Sequence, residues 1–422
     1  MLKILKPLSG VMDLVSNSVV SHHKKVTYIA YRIGKEMNLD LRDLRNLVIA
    51  ANIHDIGVFY IRDVELSDFS FDDEENAHAL IGYYLLSESP HLEEISLFIK
   101  YHHSDFNDYS SRISPVYNLL HLSDQLAFLT EEYDIYNDYE KISREIEEGS
   151  GTKYWPEAVK AFQKLIRKEY FCLDIKSSAA IDRELDKLVS SFESKIRITI
   201  EKVLEITRII SYIIDFRSPF TATHSVGVSA VAKELSRLLG FTKKEQMIIE
   251  AAGYLHDIGK LVIPPEILNK KGKLDEAEWR KIRSHTYYTY QVLEYIDEFP
   301  CLKEWAAYHH ERLDGTGYPF HLKAEDLSQG ARIMAVADIF TAVTEDRPYR
   351  AGMDRNQVYG VFQELVKGGK IDENIVKTLL SNYDLINAIR KKRQLEGRKY
   401  YQSFKNKRGK NLRYFDSEIN IS

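Results

Sequence analysis

The stretch MIIEAAGYLHDIGK, residues 247–260, decides how this chain is read. Met247, Ile248, Ala251, Ala252 and Leu255 recur at steps of three and four, the period of one face of an α-helix. His256 and Asp257 follow at once, so an imidazole and a carboxylate stand at the end of an amphipathic helix. The same period recurs almost everywhere, as in Val26, Ala30, Ile33 and Met37, or Val228, Ala232, Leu235 and Leu239. Alternating runs that would make strands are scarce, and the chain reads as all-α.

Other histidines and aspartates in the second half fall on or beside expected helices. THSVG gives His224, YLHDIGK adds Lys260, and RSHTYY gives His285. HHERLDGTGYP gives His309 and His310, and AVADIF gives Asp338. A helix bundle can aim such residues into one interior cleft. Five imidazoles and two carboxylates without a thiolate suit iron, manganese, zinc or nickel and disfavour calcium. Seven ligands exceed the need of one ion and suit two, with Asp257 as the bridge. Two ions about 3.5–4 Å apart stabilise both attacking and leaving oxygens in phosphoryl transfer. A histidine taken singly is more often a satisfied core or surface residue; seven residues in this order shift that balance.

Composition narrows the class. A chain of 422 residues calls for two or more domains, and 44% hydrophobic with 29% charged residues provides real cores. A net charge of -5 argues against a nucleic acid polymer as partner. Cys172 and Cys301 are isolated, which makes no disulfide framework and fits a reducing, cytoplasmic setting. The start, MLKILKPLSGVMDL, lacks a signal-peptide pattern, and no stretch has the length of a membrane span.

HDIGK, HHERLDGTGYP and VADIFTAVTEDRPYR, in that order, resemble the HD-GYP subfamily of HD-domain phosphohydrolases over about residues 216–404. The resemblance implies hydrolysis of cyclic dinucleotides, chiefly cyclic di-GMP, to linear pGpG or on to GMP. It implies two divalent ions, most commonly iron or manganese, with nickel and zinc as alternatives. By position, His224, His256, Asp257, His285, His309, His310 and Asp338 match the family's metal ligands. Lys260 matches the lysine that holds a phosphate oxygen, and Arg347 and Arg350 match the phosphate clamps. Tyr318 would stand near the substrate, on a loop whose glycines permit a tight turn. The resemblance also implies the mechanism: a metal-activated hydroxide attacks phosphorus in line with the ribose 3′ oxygen. Two positions depart from the family. Trinuclear members carry Glu where this chain has Phe220, so two metals are expected. The family usually has Asp where this chain has Thr341, which opens base preference to a hybrid cyclic GMP–AMP.

The first half repeats the pattern, with His22, His54, Asp55, His78, His102, His103 and Asp124 as a second candidate metal set. The 32-residue spacing from His22 to His54 equals that from His224 to His256. The 24-residue spacing from His78 to His102 equals that from His285 to His309, and duplication is the economical reading. Val58 stands where Lys260 stands, SDFNDYS replaces the GYP loop and no RPYR follows. The first half thus reads as a degenerate HD domain with a regulatory or structural role, or as a vestigial cleft.

The expected architecture is two tandem HD-type helical bundles joined by a long helix. Residues 1–150 form the degenerate domain, 151–215 a helical linker and 216–422 the catalytic domain. In the linker Leu185, Val189, Phe192, Ile196, Thr199, Val203, Ile206, Ile210 and Ile213 form a heptad seam, read as a homodimer helix or as a buried helix between domains. Ile198, Ile200, Leu204, Ile209 and Ile214 make its other faces apolar too. The basic tail, residues 390–413, reads as a solvated helix docked through Leu395, Tyr400, Tyr401 and Phe404, with a polyanion site as the alternative. The rival functional readings are a phosphohydrolase for another nucleotide and a sensor that binds a cyclic dinucleotide without cleaving it.

Overall fold

Helix starts are written as side-chain caps. Asp40, Ser328 and Asp372 accept backbone N–H groups of the first turn, and Thr242, Asp275 and Asp354 form reciprocal capping boxes with Glu245, Glu278 and Gln357. Each cap satisfies donors that a helix leaves unpaired at its N-terminus. The computed structural model describes residues 5, 9–12, 22–61, 74–109, 112–193, 199–216, 223–270, 272–294, 296, 298–346 and 351–418. It separates into two units, Met1–Ile198 and Thr199–Ser422. The described residues form helices and no strand, with only two isolated bridges, Ser150 to Tyr154 and Asp314 to Lys323.

The first unit contains α1 (His22–Glu36), α2 (Leu41–Ile53), α3 (Glu74–Ser87), α4 (Glu93–Lys100), α5 (Asn118–Glu132), α6 (Tyr139–Glu148), α7 (Pro156–Ile166), α8 (Glu169–Ile175) and α9 (Ser178–Glu193). α1 is central and packs on α2, α5, α7 and α9. Its stripe of Val26, Ile29, Ala30 and Ile33 is fully buried.

The second unit contains α10 (Ile200–Phe216), α11 (His224–Leu238), α12 (Lys243–Leu255), α13 (Glu276–Leu293), α14 (Pro300–Ala307), α15 (Gln329–Thr344), α16 (Arg355–Lys367), α17 (Glu373–Ser381) and α18 (Tyr383–Glu418). Here α11 is central and packs on α12, α15 and α18, with Val228, Ala232 and Leu235 fully buried. The α1–α2 and α11–α12 pairs have the same lengths, 15 and 13 residues, and each ends in His-Asp.

Six of the nine seam residues are buried within single units, Thr199 is exposed, and the Phe192 side chain is not described. Leu185 and Val189 of α9 are buried in the first unit, where α9 packs on α1 and α8. Val203, Ile206, Ile210 and Ile213 of α10 are buried in the second, where α10 packs on α12 and α11. Ile196, Ile198 and Phe220 lie outside the described residues. The tail helix docks in part as expected, with Leu395 as the exception and the Phe404 side chain outside the described residues. Ile386, Arg390 and Gln394 are buried, whereas Leu395, one residue around the helix, is 54% exposed. Tyr400 does dock, stacked on Tyr212 of α10 with ring centroids 4.1 Å apart. No helix of the described residues is long and apolar enough to cross a membrane.

Candidate metal centre

In the second unit three histidines adopt one local solution. His256 Nδ1 lies 2.8 Å from Gly253 O, His285 Nδ1 lies 2.6 Å from Ile282 O, and His309 Nδ1 lies 2.7 Å from Ala306 O. A carbonyl can only accept, so each Nδ1 carries the proton and each Nε2 keeps its lone pair. Second partners of this kind orient imidazoles toward a metal. His224 is oriented by a carboxylate instead, with Glu345 Oε2 3.2 Å from its Nδ1 and Asp338 Oδ1 3.1 Å from its Nε2.

The structure brings all seven expected residues together. Asp257 Oδ2 lies 3.2 Å from His256 Nε2, while Oδ1 lies 3.4 Å from His285 Nε2 and 3.9 Å from His309 Nε2. Asp338 divides likewise, Oδ1 toward His224 and Oδ2 3.8 Å from His310 Nδ1. Three groups have ligand atoms mutually within 4.8 Å: His224, His256 and Asp338; His256, Asp257 and His309; His285, His309 and His310. His256 and His309 each belong to two groups, so the set is one continuous centre.

The centre opens on one side. The His310 and Lys260 side chains are 30% and 25% exposed, while that of Asp257 is 4% exposed. Lys260 Nζ donates to Asp257 Oδ2 at 2.5 Å. The Tyr318 ring lies 5.0 Å from the His310 ring, and the Arg283 guanidinium lies 5.4 Å from the Tyr318 centroid. Buried Glu311 pins the loop, accepting from the backbone N–H of Phe320 at 2.7 Å and of Leu322 at 3.1 Å.

Electrostatics favour a cation. Burial lowers His285 to about 3 and His310 to about 4, and lowers His309 as well, so all three are neutral and can donate lone pairs. Burial would raise Asp257 and Asp338, but the facing imidazoles, joined by Lys260 at Asp257, hold both well below the usual carboxylate range. Burial would lower His224, yet Asp338 and Glu345 raise it to about 10. His256 Nε2 and Asp257 Oδ1 are buried without a hydrogen-bond partner among the described residues. Such atoms cost about 1–3 kcal/mol each when left unsatisfied. Divalent ions fit these donors, and these residues would hold them.

The first unit gathers its own set. His22 Nε2 lies 2.9 Å from Asp124 Oδ1, which lies 3.4 Å from His54 Nε2. Asp55 Oδ2 lies 3.3 Å from His54 Nε2, and Oδ1 lies 3.3 Å from His78 Nε2 and 3.8 Å from His102 Nε2. His78 Nε2 lies 3.0 Å from His103 Nε2. His54 and His102 hold Nδ1 against Ala51 O and Ile99 O, as their counterparts do.

Several functional residues were not singled out from sequence. Glu345, Gln394 and Arg390 form a buried chain behind His224: Gln394 Nε2 donates to Glu345 Oε1 at 2.9 Å, and Arg390 Nη1 donates to Gln394 Oε1 at 2.6 Å. Glu345 sits inside the TEDRPYR motif, but Arg390 and Gln394 look like members of a solvated basic helix. Thr341, the position where base preference was left open, lies inside α15. It is fully buried, and its hydroxyl donates to Ala337 O at 2.8 Å within the helix. Arg347 and Arg350 lie outside the described residues.

A helical bundle that gathers neutral imidazoles and ionised carboxylates around unpartnered buried ligand atoms, with a lysine at its open side, is the architecture of a metal-dependent phosphohydrolase. Residues 19–134 and residues 208–375 each match an HD domain family. The 3′3′-cGAMP-specific phosphodiesterase 1 of Vibrio cholerae is 31% identical over 390 residues, 89% of this chain and 90% of that protein. A cyclic di-GMP phosphodiesterase of Pseudomonas aeruginosa is 43% identical over 136 residues, 32% of each chain. A solved cyclic GMP–AMP specific phosphodiesterase of V. cholerae superposes with a TM-score of 0.61 at 22% identity, covering 91% of this chain and 97% of that one, which shows a shared fold. The chain belongs to the HD-GYP-type HD-domain phosphodiesterases; it is a hydrolase of a family that binds divalent metal.

Proposed function

We propose that the second unit hydrolyses cyclic dinucleotides at the centre built from His224, His256, Asp257, His285, His309, His310 and Asp338. The observation that carries this reading is Asp257, whose two oxygens face different histidines while Lys260 closes on it from the open side. In this reading His224, His256 and Asp338 would hold one ion and His285, His309 and His310 another, with Asp257 between them. When bound, two such ions, iron or manganese by family resemblance, would supply Lewis acidity toward water and the phosphate oxygens.

The chain's own residues do the rest. Lys260 is positioned to turn from Asp257 to a phosphate oxygen, since its side chain lies at the accessible edge. Tyr318 and Arg283 form a stacked rim beside His310, suited to hold a base or ribose at the entrance. Arg347 and Arg350 are proposed as clamps on the two phosphates. Their flanks are pinned, with Gly352 N donating to Asp346 Oδ1 at 2.9 Å and Met353 N to Val343 O at 2.8 Å. Hydrolysis opens one P–O3′ bond with uptake of one water and releases a linear dinucleotide, pGpG from cyclic di-GMP.

Similarity over the catalytic region to a relative named for cyclic di-GMP supports that substrate. A second reading, 3′,3′-cyclic GMP–AMP, is supported by the relative that matches along both units. The first unit, with Val58 in the place of Lys260 and no RPYR, takes a regulatory or structural part. The test is to incubate anaerobically purified full chain with each cyclic dinucleotide and follow products by chromatography, beside an Asp257→Ala variant. Linear product from the parent chain, lost together with metal in the variant, is expected. Near-normal turnover by Asp257→Ala overturns the mechanism.

A further inference from the structure

The two units differ in what faces the bridging aspartate. In the second unit Asp257 Oδ2 receives Lys260 Nζ at 2.5 Å. In the first, the position of Lys260 is taken by Val58, which cannot pair. The place on the carboxylate is nevertheless filled, because His23 Nε2 lies 3.4 Å from Asp55 Oδ2. His23 comes from α1, a different helix from the one that precedes the lysine, and it follows His22 as Ser225 follows His224. Ser225 plays no such part, since its hydroxyl donates to Asp215 Oδ1 at 2.7 Å. Two substitutions thus act as an exchange, in which an ammonium on the bridging carboxylate gives way to an imidazole.

That exchange changes chemistry. An ammonium has three donors and no lone pair, so it grips phosphate and cannot ligate a metal. A neutral imidazole ligates well and grips phosphate poorly. His23 is 6% exposed, and its ring lies 5.1 Å from that of His54, which touches the same oxygen of Asp55 at 3.3 Å. Around it the other ligand atoms are already gathered: His22, His54 and Asp55 lie mutually within 4.8 Å, as do His78, His102 and His103.

We infer that the first unit holds a non-hydrolytic transition-metal site in which His23 is a ligand in the place where the second unit keeps Lys260. The set is then six imidazoles with Asp55 and Asp124, richer in nitrogen than the catalytic centre and suited to zinc, cobalt or nickel. The Asp55 side chain is 28% exposed, so the site stays within reach of metal, but no lysine stands there to grip a phosphate. The inference does not depend on the substrate or activity of the second unit.

The test uses full-length chain stripped by chelator and reloaded with zinc, or with cobalt(II) as the spectroscopic probe. Asp257→Asn with His309→Ala empties the second unit, and metal bound per chain then reports the first. We expect this variant to retain metal and to lose it when Asp55→Asn and His102→Ala are added. In the emptied background, His23→Lys rebuilds the ion pair of the catalytic unit without supplying a ligand. It should weaken metal binding about tenfold or more and shift the cobalt absorption bands. Circular dichroism and melting of the chelated forms show whether each variant folds. No metal in the folded first unit, or an unchanged affinity and cobalt spectrum in His23→Lys, overturns the inference.

Discussion

Glu345→Gln tests whether the second layer of the centre acts on His224. In the parent chain Glu345 Oε2 accepts from His224 Nδ1 at 3.2 Å and Oε1 accepts from Gln394 Nε2 at 2.9 Å. Gln394 cannot turn its amide, because its Oε1 accepts from Arg390 Nη1 at 2.6 Å and its Nε2 also donates to Thr223 O at 3.2 Å. A glutamine at 345 keeps the shape but presents one NH2 group. Facing Gln394 it opposes donor to donor; facing His224 it opposes the ring N–H. A hydrogen bond to a charged group is worth about 1.5–3 kcal/mol, and about 1.4 kcal/mol is tenfold in affinity. The expected loss of metal affinity is therefore on the order of 10- to 100-fold, the range found when a ligand's outer partner is removed. The assay is titration of chelated full chain with manganese, followed by metal per chain after desalting and by kcat/KM on the cleaved cyclic dinucleotide. The kcat of fully loaded enzyme should fall less than the metal affinity, because Glu345 orients a ligand and does not reach the open side. Affinity and kcat/KM both within twofold of the parent would refute the role assigned to Glu345.

Lys260→Ala removes a cation from the open side and leaves the seven ligands in place, so metal per chain should persist while kcat/KM falls by about 10²- to 10³-fold; loss of metal in proportion to activity would make Lys260 a structural partner of Asp257. Gly259→Ala would set a Cβ 1.9 Å from His285 O, so displacement of α13 should cost metal and activity together, and a variant of parental metal content and rate contradicts the close approach. The chelated chain should lose stability as pH falls from about 6.5 toward about 4. Burial lowers His285 to about 3, and His310 and His103 to about 4, so across that window the unfolded chain binds protons that the native chain refuses. Asp215, raised by burial to about 7, works in the opposite direction but is one group against several. Melting temperatures that stay flat or rise on acidification oppose this assignment.

The helical class and the gathering of the seven candidate side chains were legible because each rests on local spacing. A stripe such as Val228, Ala232 and Leu235 fixes which face is buried, and a histidine one residue past a helix end projects where the next helix packs. What the sequence hid depends on contacts between distant segments. Gln394 and Arg390 stand in a run of lysines and arginines whose composition reads as solvent-facing, and only the docking of α18 on α11 turns them inward. Leu395 misled for the same reason, since hydrophobicity names a candidate for burial while helix phase decides it. The burial of Thr341 and its bond to Ala337 O were hidden likewise, since spacing from Asp338 does not say that a mid-helix threonine bonds its own turn.

The two units also separate what the backbone requires from what the chemistry requires. Gly57 and Gly259 each follow the aspartate by two residues, and a Cβ on either would lie about 2 Å from the carbonyl of the next histidine along, 2.1 Å from His78 O and 1.9 Å from His285 O. Both units therefore need this glycine to let a neighbouring helix approach, whatever the site does. The lysine is under no such packing demand, as Val58 in the first unit shows, and it is retained in the unit whose open side holds Tyr318 and whose sequence carries RPYR. Position 259 thus belongs to the fold, which leaves position 260 free for the phosphate-gripping role proposed for it. A first unit that had merely decayed would lose ligands as readily as grips. Instead its seven candidate side chains remain gathered and an eighth, His23, lies against Asp55, the arrangement on which the inferred first-unit metal site rests.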